Sequence, residues 1–261
     1  MSIFFHELKR GQKSLLVWSC AIAFMLGICV LIYPEMKTQM DGISTMFAEM
    51  GSFSEAFGMD RINFGTFIGF FGVECGNILG LGGALFAATL GISSLAKEEK
   101  EHTAEFLLTH PVSREKVLGE KLLAVFAQIV VLNMVSVLVT VLSALAIGES
   151  ADVKTMSLLF LSYFIMQIEI SAVTFGISAF LRGNGLGIGL GIAVLLYFLN
   201  IISNLTENVK FLKYITPFGY TEGADIISNG AIEMPYLAAG IVFTAAGIAI
   251  AFIQYRKKDI S

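Results

Sequence analysis

Charge is scarce in this chain. Asp, Glu, Lys and Arg make up 15% of its 261 residues against 56% hydrophobic residues, and the mean hydropathy is +0.77. A soluble domain cannot cover its water-facing surface with so few polar side chains, which leaves an integral membrane protein. The 17 Lys and Arg are scattered and the formal net charge is -4. The clustered basic face that phosphate binding needs is therefore missing, and nucleic acid is excluded as a partner. Cysteine is also rare: Cys20, Cys29 and Cys75 lie in or beside apolar runs without metal-type spacing and read as small core residues. His6, His102 and His110 fall outside the apolar runs and form no Ser-His-Asp or Cys-His pattern. A phosphate loop is lacking too. Gly11-Gln12-Lys13-Ser14 does not have the G-x-x-x-x-G-K order whose amides cradle phosphate, and no strand precedes it. The chain reads as non-enzymatic, with no catalytic, cofactor or metal site of its own.

What the sequence does have is long apolar runs. A transmembrane helix needs about 20 predominantly apolar residues to cross about 30 Å of hydrocarbon. Six stretches qualify: Leu15 to Tyr33, Glu74 to Ala96, Val117 to Ile147, Ser157 to Phe180, Gly185 to Ile202 and Tyr236 to Phe252. The first is long and bulky, and without an Ala-x-Ala site before Tyr33-Pro34-Glu35 it reads as a permanent anchor rather than a cleaved signal. Cytoplasmic loops retain Lys and Arg, which sets the direction. With the N-terminus inside, Lys9, Arg10, Lys13, Lys97, Lys100, Arg114, Lys116, Lys121, Arg182, Arg256, Lys257 and Lys258 are cytoplasmic, and only Lys37, Arg61, Lys154, Lys210 and Lys213 are outside. Both termini are therefore expected in the cytoplasm.

Between the second and third runs lies KEEKEHTAEFLLTHPVSREK, residues 97 to 116. Glu98 to Leu108 has good helix formers and no Gly or Pro, and the helix should end near Thr109 or His110 because Pro111 restricts the residue before it. Ser113 is placed to cap the next helix. Phe106, Leu107 and Leu108 form an apolar end that reads either as a turn dipping into the lipid interface or as a docking surface for a separate cytoplasmic protein.

These residues carry a resemblance. Glu98-Glu99-Lys100-Glu101-His102-Thr103-Ala104-Glu105-Phe106-Leu107-Leu108-Thr109-His110-Pro111-Val112-Ser113-Arg114, then Gly119-Glu120-Lys121, resembles the signature of type-2 ABC exporter permeases, E-x-x-x-G-T-x-E-x-L-L-x-x-P-V-S-R followed by G-x-K. His102 departs from it where many relatives have Gly. Residues 1–13 are similar to the family's interfacial elbow helix, and Lys210 to Tyr220 resembles its half-inserted outer helices.

The resemblance implies an all-α membrane protein: one permease domain over residues 1–261, with an extracellular segment at 34–63, a coupling-helix loop at 97–114 and an outer loop at 203–235. It also implies docking of a cytoplasmic ABC ATPase, two copies expected, on Glu98, Glu101, Thr103, Glu105, Phe106, Leu107, Leu108, Pro111 and Arg114. ATP and Mg would bind that ATPase and not this chain. A second permease subunit, identical or homologous, and a bacterial plasma-membrane setting are implied as well. The expected activity is outward movement of a hydrophobic or amphipathic substrate, such as a peptide antibiotic, a drug or a lipid. Alternatives are a non-transporting anchor or regulator that docks the ATPase, and an ion-coupled carrier using Glu169.

Glu169 stands out because, eleven residues from Phe180, it sits roughly 16 Å from the inner end of its span, close to the bilayer centre. An exposed charge there costs at least about 2.5 to 3.5 kcal/mol, so Glu169 should face protein or water. Gln167, Asn133 and Gln128 lie at comparable depth. The four are read as candidates for a polar translocation path or as hydrogen-bond partners holding the bundle. Gly183, Gly187 and Gly191 mark one small-residue face and Gly185 and Gly189 another, both expected to let helices pack closely. Ile43, Met46, Phe47, Met50 and Phe53, followed by Phe57, Met59, Phe64, Phe67, Phe70 and Phe71, suggest an amphipathic cap on the outer leaflet or a surface that meets a departing substrate.

Overall fold

A computed structural model describes residues 3–39, 50–56, 59–63, 65–100, 113–150, 152–181, 183 and 185–257. Among these residues the chain is helical without a strand, and six helical stretches are long and apolar enough to cross a membrane. The spans are α1 (Ile3–Thr38), a composite of α3 (Phe67–Cys75), a π-helical turn (Gly76–Leu81) and α4 (Gly82–Lys100), then α5 (Arg114–Ala146), α6 (Val153–Ser178), α7 (Leu186–Leu205) and α9 (Met234–Lys257). Short helices fill the connections: α2 (Ser52–Ala56), α8 (Gly223–Asn229) and 3-10 turns at Met59–Arg61, Glu207–Tyr214 and Pro217–Tyr220.

Two expectations change. The N-terminal residues do not form a separate elbow: Ile3–Thr38 is one helix of 36 residues, with Pro34 inside it. At 1.5 Å per residue it is roughly 54 Å long, well beyond the hydrocarbon thickness. The second span starts at Phe67 rather than Glu74. As a result Phe67, Phe70 and Phe71 are buried in the core and do not form part of an outer cap. Phe67 and Phe70 pack on Tyr33 at centroid distances of 5.3 and 5.4 Å, and Phe71 lies 5.9 Å from Phe160. The phenylalanine spacing that suggested a surface is the stripe a helix buries against α1 and α6. Ile43, Met46, Phe47, Phe57 and Phe64, and the side chain of Phe53, lie outside the described residues.

Cross-helix contacts fix the topology. Glu7 pairs with Lys121 and Lys37 with Glu149, so α1 and α5 run in the same direction. A Cβ on Gly83 would meet Gln167 and one on Gly91 would meet Thr174, which sets α4 parallel to α6. Gly240 faces Glu169 and Gly247 faces Ala172, making α9 parallel to α6 as well, while α7 runs antiparallel to α4 with Gly185 and Gly189 against Ile92. A Cβ on Gly183, Gly187 or Gly191 would meet nothing within 4 Å among the described residues. Among the described residues, the face of Gly185 and Gly189 packs on Ile92 and that of Gly183, Gly187 and Gly191 stays open. Large apolar side chains also point outward, including Phe24, Met134, Leu138, Phe198 and Val242, as expected of helices whose surroundings are hydrocarbon.

The two ends of the bundle differ. At one end the start of α1, the start of α5 and the end of α9 meet: the Phe4 N–H donates to Glu120 at 3.0 Å, and Arg114 donates to carbonyls near the end of α9. At the other end Asp225 pairs with Arg61 and Lys213, and Asp152 caps α6 through the N–H groups of Lys154 and Thr155. The hydroxyl and N–H of Thr155 hold the Asp152 carboxyl below the usual carboxylate range, so this cap weakens only as pH falls into the acid range.

Candidate functional site

The end that gathers both chain termini also holds the base of the 97–114 loop. Ser113 is in an extended conformation and its hydroxyl accepts from the Lys116 N–H at 3.3 Å, the cap its position before Arg114 suggested. Arg114 Nη1 donates to the carbonyls of Tyr255 at 3.1 Å and Arg256 at 3.2 Å. A guanidinium over the last carbonyls of α9 satisfies acceptors that have no partner within the helix and favours its negative end. Arg256 returns the contact by pairing with Glu115. The side chain of Glu98, in the last turn of α4, and the residues Glu101, Thr103, Glu105, Phe106, Leu107, Leu108 and Pro111 lie outside the described residues. Of the docking set, Arg114 is the member whose contacts are defined, and they tie the loop's C-terminal base to the last span.

Two turns into α5, Lys121 is 1% exposed. Its Nζ donates to Glu7 Oε1 at 2.8 Å and to the Ser94 carbonyl at 3.0 Å, so one ammonium joins α1, α4 and α5. The sequence marked Lys121 only as the lysine of G-x-K and as an inside charge. Its burial depends on Glu7 arriving from a distant part of the chain, which no local pattern announces. The pair borders a crevice of about 160 Å³ lined by Arg10, Ser14, Thr89, Ser93, Ser94 and Gln128, among others.

Of the four mid-span polar residues, Asn133 and Gln167 come together, while Gln128 and Glu169 lie apart from them. Asn133 Nδ2 donates to Gln167 Oε1 at 2.6 Å and to the Ile129 carbonyl at 2.9 Å, joining α5 to α6. Gln167 is fully buried against Gly83 of α4. Gln128 bonds its own helix at the Ala124 carbonyl and sits against Gly11 in the crevice beside Lys121. Glu169 is two residues beyond Gln167 and so faces nearly the opposite side of α6. There, 3% exposed, it accepts from the Tyr220 hydroxyl at 2.7 Å and packs on Gly240 of α9. Tyr220 ends the 3-10 turn Pro217–Tyr220, so the carboxylate holds the segment before the last span onto the centre of the bundle. Nothing in the local sequence around Tyr220 signalled this 51-residue pairing.

The Tyr220 contact gives Glu169 a structural role that substitution can test. Glu169→Gln keeps an acceptor for Tyr220 and is expected to leave the melting temperature nearly unchanged. Glu169→Leu strands a buried phenol hydroxyl at a cost of about 1–3 kcal/mol, visible as a lower melting temperature in detergent. Equal melting temperatures for the two variants would remove the structural role.

A search of curated proteins finds no match to this chain. Its family is set by a match along nearly its whole length together with the six apolar helices: residues 1–260 fit the ABC-2 family transporter proteins, so this chain belongs to that family, as a multi-pass membrane permease of an ABC transporter.

Proposed function

We propose that this chain is the membrane subunit of an ATP-driven exporter, in which two permease chains pair with two ATPase chains that bind ATP and Mg. The observation that carries this reading is the fastening of the loop base. Ser113 caps the start of α5, Arg114 ties that start to the end of α9, and Lys121 a short way on ties α5 to α1 and α4. A force delivered at Arg114 would therefore reach four spans, α5, α9, α1 and α4, through the contacts that tie them together. The excess of Lys and Arg at this end supports a cytoplasmic location for it and for both termini. With no phosphate-binding loop in the sequence, energy comes from a partner ATPase docking on Glu98 to Arg114. The expected cargo is a hydrophobic or amphipathic substrate moved outward, as the resemblance of the 98–121 segment implies.

Phe106→Asp is expected to place a charge in the middle of the ATPase contact. Recovery of the ATPase with the tagged permease should fall about tenfold or more while the permease keeps its melting temperature. Co-purification at the wild-type level would overturn the docking assignment. Reconstitution with the ATPase encoded beside this chain, followed by ATP-dependent movement of a fluorescent lipid or amphipathic dye across liposomes, tests the function itself. Stable complex formation without ATP-dependent movement of any of them would favour an anchoring role.

A further inference from the structure

At the end of the bundle opposite the termini, a cavity of about 50 Å³ lies between the start of the second span, α6, α7 and the turn that opens α8. It is far below the roughly 300–1,000 Å³ of a drug-sized site, and large enough for a small ion with some of its water. Its polar wall is rich in oxygen. Asn77 comes from the π-helical turn Gly76–Leu81, Tyr163 from α6, Asn200 from α7 and Glu222 from the residue before α8. A π-helical turn shifts the register of the chain around it, and such turns recur at functional sites.

Several buried polar atoms at this wall lack a hydrogen-bond partner among the described residues. Asn200 and Asn204, one turn apart on α7, both donate their amide nitrogens to Glu222 Oε2, at 3.2 and 3.0 Å. That arrangement leaves the amide oxygen of each without a partner among the described residues, although Asn200 is only 8% exposed. Asn77 Oδ1 accepts from the Tyr197 hydroxyl at 3.3 Å. The hydroxyl of Tyr163, 1% exposed, also has no partner among the described residues. Glu222 is thus a carboxylate held by neutral donors, and among the described residues no Lys or Arg lines the cavity. Buried acceptors left open beside an unneutralised carboxylate are costly unless something positive fills the space between them.

We propose that this niche binds a compact monovalent cation, either an alkali-metal ion or the ammonium head of an amine, on the oxygens of Glu222, Asn200, Asn77 and Tyr163. One carboxylate among neutral oxygens balances a single positive charge. Hard cations take carboxylate, amide and hydroxyl oxygens, whereas among the described residues no group of His, Cys, Asp or Glu is placed to hold a transition metal. Because the ligands come from the second span, α6, α7 and the residue before α8, an occupant draws these elements together at this end. The inference is independent of the exporter reading, since it concerns binding and closure rather than what is moved.

The test uses the full-length purified chain in detergent, held at constant ionic strength with N-methyl-glucamine chloride. NaCl, KCl, methylammonium chloride and CaCl2 are each titrated against it while the melting temperature is followed. The expected result is a saturable rise with an alkali ion or with methylammonium, and which of the two acts identifies the source of the charge. Glu222→Gln, which keeps the acceptor for both asparagines, should raise the half-saturating concentration about tenfold or more. Tyr163→Phe removes only the open hydroxyl and should weaken binding with the fold intact, so it serves if Glu222→Gln does not fold. A cavity holding ordered water alone gives no rise beyond that of N-methyl-glucamine. That outcome, or a rise unchanged in Glu222→Gln and Tyr163→Phe, overturns the proposal, as does a response confined to calcium.

Discussion

Lys121→Ala is expected to destabilise the protein by about 3 kcal/mol, because it removes one half of a largely enclosed ion pair and leaves the other behind. Glu7 would keep its charge in a site with 17% side-chain exposure, and the Ser94 carbonyl would lose its donor. Replacing both members, Glu7→Gln with Lys121→Met, should recover much of the loss, since the uncompensated charge has gone and the volume is roughly kept. Melting temperatures for the two singles and the double give the coupling directly. If the effects simply add, the pair is not the tie described here. The same variants bear on function. Lys121 joins α1, α4 and α5 just beyond the loop base, so Lys121→Ala is also expected to lower substrate stimulation of the bound ATPase.

Gly247→Leu should be at least as damaging. A Cβ at Gly247 would lie 2.6 Å from the Ala172 carbonyl oxygen and 2.9 Å from Val173 Cα, and one at Gly176 would lie 2.6 Å from the Gly247 carbonyl oxygen. The obstacles are backbone atoms on both sides, which cannot rotate away. The helices must separate, at a cost of at least about 3 kcal/mol once a full leucine is inserted. Separation of α9 from α6 also withdraws Gly240 from Glu169, where a Cβ would meet the carboxylate and the Tyr220 ring. Size-exclusion profiles and melting temperatures should show loss of the folded monodisperse species for Gly247→Leu. Gly187→Ala, at a position with nothing within 4 Å, should match the parent chain. A well-folded Gly247→Leu would mean that α6 and α9 do not approach this closely.

Much of the architecture was written in local pattern. Hydrocarbon demands about 20 apolar residues per crossing and internal hydrogen bonding throughout, so six apolar runs could become little other than six helices. Ser113, placed just before the helical pattern of the third span, marked its own cap because capping is decided within one turn. The family was legible in the loop between Glu98 and Lys121, where the spacing of charged, apolar and proline positions is specific, and the match over residues 1–260 bears it out.

Partnership between helices was not legible, and here only the tertiary structure decided. Gln128, Asn133, Gln167 and Glu169 share a depth, but depth is a coordinate along the helix and says nothing of the direction a side chain faces. Two residues of separation on α6 send Gln167 toward α4 and α5, and Glu169 toward α9 and Tyr220. The glycines followed the same rule. The spacing on α7 advertised two faces, of which that of Gly185 and Gly189 packs on Ile92, whereas Gly176 lies against the backbone of Gly247, a pairing between residues 71 positions apart that neither segment announces. Charge behaved likewise: Lys121 read as an inside charge and proved to be a buried tie, because its partner is supplied by a residue 114 positions away. In an apolar chain, local sequence fixes where helices run, since the solvent imposes the same demand on every segment. Which faces meet depends on shape and on a few polar pairs, and those exist only once the helices are side by side.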